Sequence, residues 1–92
     1  MVEGILIKNR INNEIGEWLK DLRQSRGLSL KGASERFSLS PGRLAKFEAG
    51  RPVPMAMLAR LVIGYEVQPE FVICKILEIQ KAATRAASPP PV

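Results

Sequence analysis

Residues 28–50, LSLKGASERFSLSPGRLAKFEAG, constrain the fold more than any other stretch, because they hold two helix starts only eleven residues apart. Ser29 is a good N-cap, with Leu28 before it placed to staple onto Ala33. Ser40 supplies the second cap, and Pro41 suits the first helical position, where a missing N–H leaves no bond unmade. Gly50 stops the second helix. The spacing predicts helices over 30–37 and 41–48, joined by a corner at Ser38-Leu39-Ser40 that carries one apolar residue inward. Ala33, Phe37, Leu39, Leu44 and Phe47 form the inward set, with small Ser34 where the two helices must approach closely.

Two short helices meeting at such a corner form a helix-turn-helix, whose second helix is shaped to enter a DNA major groove. Charge placement agrees. The chain carries +5 overall, but residues 20–60 alone hold nine Lys/Arg (Lys20, Arg23, Arg26, Lys31, Arg36, Arg43, Lys46, Arg51, Arg60) against three acids (Asp21, Glu35, Glu48), a local +6. A basic face attracts phosphate backbones and releases counterions on binding. On charge alone a solvated basic surface explains the window equally well; its coincidence with the two-helix motif favours nucleic acid.

Composition removes other classes. Ninety-two residues suffice for one domain with one modest core. No apolar run is long enough for a membrane span, and Ile5-Leu6-Ile7 is too short and wrongly flanked for a signal peptide. A single cysteine excludes an internal disulfide framework and fits a reducing, cytoplasmic interior. That residue, Cys74, sits in an apolar helical run and is expected to be a small core residue. With one Cys and no His, tetrahedral zinc sites and His-based nucleophiles are ruled out. The nine acids are scattered and mostly stand beside basic residues. No catalytic residue, metal or cofactor is expected, and the chain does not read as an enzyme.

The remaining segments predict an all-α, five-helix domain. Residues 1–12 read as an N-terminal arm, in which Ile5-Leu6-Ile7 is compatible with a short strand, a tether or a dimer contact. Residues 13–68 form the body. Its first helix is predicted from Asn13, as cap, to about Arg26, with Ile15, Trp18, Leu19 and Leu22 giving one apolar stripe and Gly27 ending it. Pro54 opens a fourth helix whose core face is Leu58, Leu61 and Val62. A fifth helix over residues 69–87 is apolar on more than one face. Phe71, Cys74 and Leu77 form one row, expected to cover the body. Val72, Ile76, Ile79, Ala83 and Ala86 form another at coiled-coil spacing, expected to build a dimer. Residues 88–92, SPPPV, read as a disordered or polyproline tail.

Several spaced residues carry a resemblance: Leu22-Arg23, Arg26-Gly27-Leu28-Ser29, Leu44, Phe47-Glu48, Gly50-Arg51, Pro54 and Leu58. Across residues 16–67 the chain resembles the Cro and phage-repressor (XRE-like) family of helix-turn-helix domains. The resemblance implies a repressor-like five-helix fold, major-groove binding by the third helix and a two-fold dimer on palindromic double-stranded DNA. It also implies an ion pair between Arg23 and Glu48, which has a physical reason: a Glu late in a DNA-facing helix would repel phosphate unless a cation neutralised it. The chain departs from the family at Leu30, where Gln is frequent, and at Ser38, where Gly is usual and a left-handed conformation is needed. The third departure is Pro41-Gly42, whose side chains cannot hydrogen-bond a base.

The DNA-facing set is therefore Ser29, Lys31, Arg36, Ser40, Gly42, Arg43, Lys46 and Arg51, with Arg43 first in line for a guanine contact. The expected function is a small dimeric transcriptional regulator of bacterial, phage or plasmid type, repressing rather than activating because no effector domain is evident. The alternative is a protein-interaction module, or an antitoxin with a protein partner, motivated by Leu30, Pro41-Gly42 and the surplus apolar surface of the fifth helix.

Overall fold

Five helices follow one another in the computed structural model: α1 (Val2–Ser25), α2 (Leu30–Phe37), α3 (Pro41–Glu48), α4 (Met55–Gly64) and α5 (Pro69–Ala87). The structure describes the backbone of residues 2–87 and the side chains of residues 8–83. No strand occurs among the described residues. The proline-rich tail and the side chains of Ile5, Leu6, Ile7 and Ala86 lie outside them.

The core forms where the stripes predicted from spacing converge. Leu19 of α1, Ala33 and Phe37 of α2, Leu44 and Phe47 of α3, and Leu58, Leu61 and Val62 of α4 are buried in one cluster with Tyr65. Leu39, the apolar residue of the corner, packs against it half-buried. Both predicted caps are formed: Ser29 Oγ accepts from Gly32 N–H at 3.0 Å, and Ser40 Oγ from Arg43 N–H at 3.2 Å.

α1, α2, α3 and α4 share one way of ending. In each, the residue after the last turn is left-handed and the next N–H bonds a carbonyl five residues back: Leu28 to Arg23 at 3.1 Å, Leu39 to Ser34 at 2.8 Å, Arg51 to Lys46 at 3.0 Å and Val67 to Val62 at 3.0 Å. Glycine supplies the left-handed residue at Gly27 and Gly50, whereas Ser38 (φ 55°) and Glu66 (φ 61°) do so despite their Cβ atoms. Ser38 thus keeps the turn its position demands.

Three expectations are corrected. The first helix does not start at Asn13; α1 begins at Val2 and runs unbroken through the residues read as an arm. No proline interrupts them, and the long helix is supported by α5, which makes its most extensive contact with α1. Asn13 lies inside α1 with its carboxamide beside Gly50, where it leaves no room for a Cβ.

The second correction reverses the two rows of α5. Ile79 is 3 % and Ala83 1 % exposed, while Val72 and Ile76 pack half-buried on the core. Phe71, by contrast, is 69 % and Leu77 55 % exposed. Ile79 and Ala83 are consumed within the monomer, where α1 is the main partner of α5. Ile79 and Ala83 therefore have no surface left for a second copy, while Val72 and Ile76 keep part of theirs along the groove between α4 and α5. Cys74 is the third correction: it lies on the outward row and is exposed rather than in the core.

Candidate nucleic-acid interface

The interface is built on α2 and α3 and the corner between them. Ser29, Lys31, Arg36, Ser40, Gly42, Arg43, Lys46 and Arg51 are all exposed. No cation among them is drawn into an ion pair among the described residues. Ser29 and Ser40 spend a lone pair on capping, which leaves each O–H able to donate outward to a phosphate oxygen.

The first turn of α3 has a simple donor arrangement. Pro41 has no N–H, Arg43 N–H is held by Ser40 Oγ and Leu44 N–H by the Ser40 carbonyl at 3.1 Å. Gly42 N–H therefore remains as an outward-facing donor at the positive end of the helix dipole. A Cβ built on Gly42 would meet nothing within 4 Å, so the fold itself does not require glycine here.

Arg43 sits with its guanidinium 5.4 Å from the centroid of the Phe47 ring, one turn further along α3. The stacking holds the cation over an otherwise buried ring and narrows its rotamer freedom before any base is met. The four-residue spacing was itself the signal for this contact.

Arg23 and Glu48 are joined as the resemblance implies. Nε donates to Oε2 at 2.8 Å and Nη2 to Oε1 at 3.0 Å, a two-pronged pair with side chains 10 % and 6 % exposed. Nη1 donates to the Leu28 carbonyl at 2.9 Å, tying the pair to the α1–α2 turn. The hydrogen bonds to Glu48 raise the Arg23 pKa further above its ordinary value, against the lowering effect of burial. The one carboxylate of α3 is thereby neutralised, and the cations of the helix act without it.

Two further arginines of the basic window also have structural partners that spacing alone did not reveal. Arg26 Nε donates to the Tyr65 carbonyl at 2.8 Å, linking the ends of α1 and α4. Arg60 Nη2 donates to the Phe37 carbonyl at the end of α2. Lys20, Lys31, Arg36, Arg43, Lys46 and Arg51 remain as the exposed cations of the window whose side chains have no hydrogen-bond or ion-pair partner among the described residues. The close approach of α1 to α3 was likewise not read from spacing. A Cβ on Gly16 would stand 2.7 Å from both the Phe47 and Glu48 carbonyl oxygens, so only glycine lets the helices cross there.

Among the described residues no cluster of His, Cys, Asp or Glu is arranged to hold a metal, and no helix is long and apolar enough to cross a membrane. No curated relative and no solved structure matches the chain. The family description "Helix-turn-helix domain" matches residues 14–71, the segment that contains the caps, the left-handed corner, the Arg23–Glu48 pair and the whole basic surface. With more than half of its length matched and a DNA-binding helical fold, the chain belongs to the helix-turn-helix domain family.

Proposed function

We propose that the protein is a sequence-specific transcriptional regulator that binds double-stranded DNA as a homodimer and represses a bacterial, phage or plasmid promoter by occluding it, in the cytoplasm. The observation that carries this reading is the surface of α3: two exposed cations, a free Gly42 N–H and the capping hydroxyl of Ser40 on one helix, with its only carboxylate neutralised by Arg23. In this reading Arg43 reads a base edge, Lys46 reaches the groove or its rim, and Ser29, Lys31, Arg36, Ser40, Gly42 and Arg51 hold phosphates. Selection of binding sites from a randomised duplex library tests it. A palindromic motif whose binding weakens steeply with salt is the expected result. Failure to retain any duplex at low salt overturns it.

A second reading has its own support. Phe71, Ile73, Leu77, Met55 and Ile63 are exposed, and such surface suits a protein partner, an antitoxin's toxin among them. Sequence-independent duplex binding together with a tight protein complex would favour it.

A further inference from the structure

The outward face of α5 carries a self-complementary pattern. Glu70, Cys74, Leu77 and Lys81 recur at intervals of four, three and four residues, which sets them on one stripe of the helix. All four are exposed, and neither Glu70 nor Lys81 has an ion-pair partner among the described residues. The stripe has an acid at one end, a base at the other and two apolar residues between, and it is symmetric about a point midway between residues 75 and 76. Exposed Ile73 flanks it, and beyond the groove between α4 and α5 the apolar surface continues to Met55 and Ile63.

We propose that α5 pairs antiparallel with α5 of a second copy through this stripe. A two-fold axis at the midpoint sets Cys74 against the partner subunit's Leu77, and Leu77 against the partner's Cys74. The same axis brings Glu70 to the partner's Lys81 at one end and repeats that contact at the other. A two-fold contact must be self-complementary, and this one is, in charge as well as in apolar character. A parallel pairing in register would instead oppose Glu70 to Glu70 and Lys81 to Lys81. The body-facing row stays packed on the body, and the contact uses α5 alone, with no residue of α3 in it.

The proposal names the contact of the dimer put forward above and rests on that part of the reading, not on DNA binding. Its test is sedimentation of the full chain at low ionic strength over a range of concentrations. Wild type is expected to dimerise. Glu70→Lys and Lys81→Glu should each weaken the dimer about tenfold or more, because reversal turns two attractions into two repulsions. The double variant Glu70→Lys with Lys81→Glu should recover it, a rescue that misfolding cannot mimic. Leu77→Cys should cross-link to the partner's Cys74 on oxidation, whereas Ala82→Cys, on another face of the helix, should not. A monomeric wild type overturns the pairing, as does a dimer indifferent to both reversals or one that the double reversal fails to rescue. A dimer with the expected pattern that binds no duplex would leave the pairing standing and remove the DNA-binding reading.

Discussion

Arg23 and Glu48 are 25 positions apart, and they meet through two hydrogen bonds of 2.8 and 3.0 Å between the last turns of α1 and α3. The third prong of the guanidinium, on the Leu28 carbonyl, makes one side chain the junction of α1, α3 and the turn before α2. Since both side chains are nearly buried, removal of one strands the other. Glu48→Ala is expected to destabilise the fold by about 3 kcal/mol. Thermal melts of Glu48→Ala, Arg23→Met and the double variant should show coupling of about 1 kcal/mol or more; strict additivity would refute the pair's role.

Arg43 is expected to serve specificity and its neighbours affinity. Arg43→Ala should cost about 1–3 kcal/mol on the selected site and relax discrimination at one base pair. Arg36→Ala or Arg51→Ala should weaken all sequences alike and flatten the salt dependence. Competition against single-base variants of the site separates the two behaviours, and an equal loss on cognate and random duplex with Arg43→Ala would show that Arg43 only touches phosphate.

The glycines and left-handed residues give opposite signs at superficially similar positions. Gly64→Ala should be severely destabilising, because the new Cβ would run into the Phe37 ring, and Gly16→Ala likewise against the α3 carbonyls. Gly42→Ala meets open space in a helix and should raise stability by up to about 1 kcal/mol. Ser38→Gly relieves a left-handed Cβ and should also stabilise, by roughly 1 kcal/mol. Denaturant midpoints of the four variants test the ordering; a destabilising Ser38→Gly would contradict the strain assigned to that corner.

Tyr65 is fully buried, edge-on to Phe37 at 5.1 Å, and its hydroxyl has no hydrogen-bond partner among the described residues. Burial raises its pKa above the ordinary 10.0, and the nearby Glu48 charge adds to the shift. Well below pH 10.0 the phenol is neutral in both states. Above it the unfolded chain ionises first, so stability should fall as pH rises from 10.0 toward the raised folded value. Tyr65→Phe should lose that component of the decline and, having no hydrogen bond to forfeit, should be at least as stable as wild type at neutral pH. Melts of the two proteins at pH 7 and across the alkaline range provide the comparison.

What sequence alone determined here is what short-range chemistry determines. Ser29, Ser40 and Pro41 mark helix starts because caps act within one turn, Gly27 and Gly50 mark stops because few other residues tolerate a left-handed backbone, and the 3.6-residue rhythm places Leu19, Leu44, Leu58 and Leu61 inward. The Arg23–Glu48 pair was legible only through resemblance, since 25 intervening residues erase any local signal. Tertiary structure decided the rest. Asn13 has the chemistry of a cap, yet α1 runs through it back to Val2, and α5 makes its most extensive contact with that helix. Periodicity showed that α5 has two apolar rows but not which one meets the body. Tertiary packing made that choice, burying Ile79 and Ala83 and leaving Cys74 and Leu77 outward. The charges of Arg26 and Arg60 were visible in the chain, but their carbonyl partners exist only once α1, α2 and α4 have been brought together.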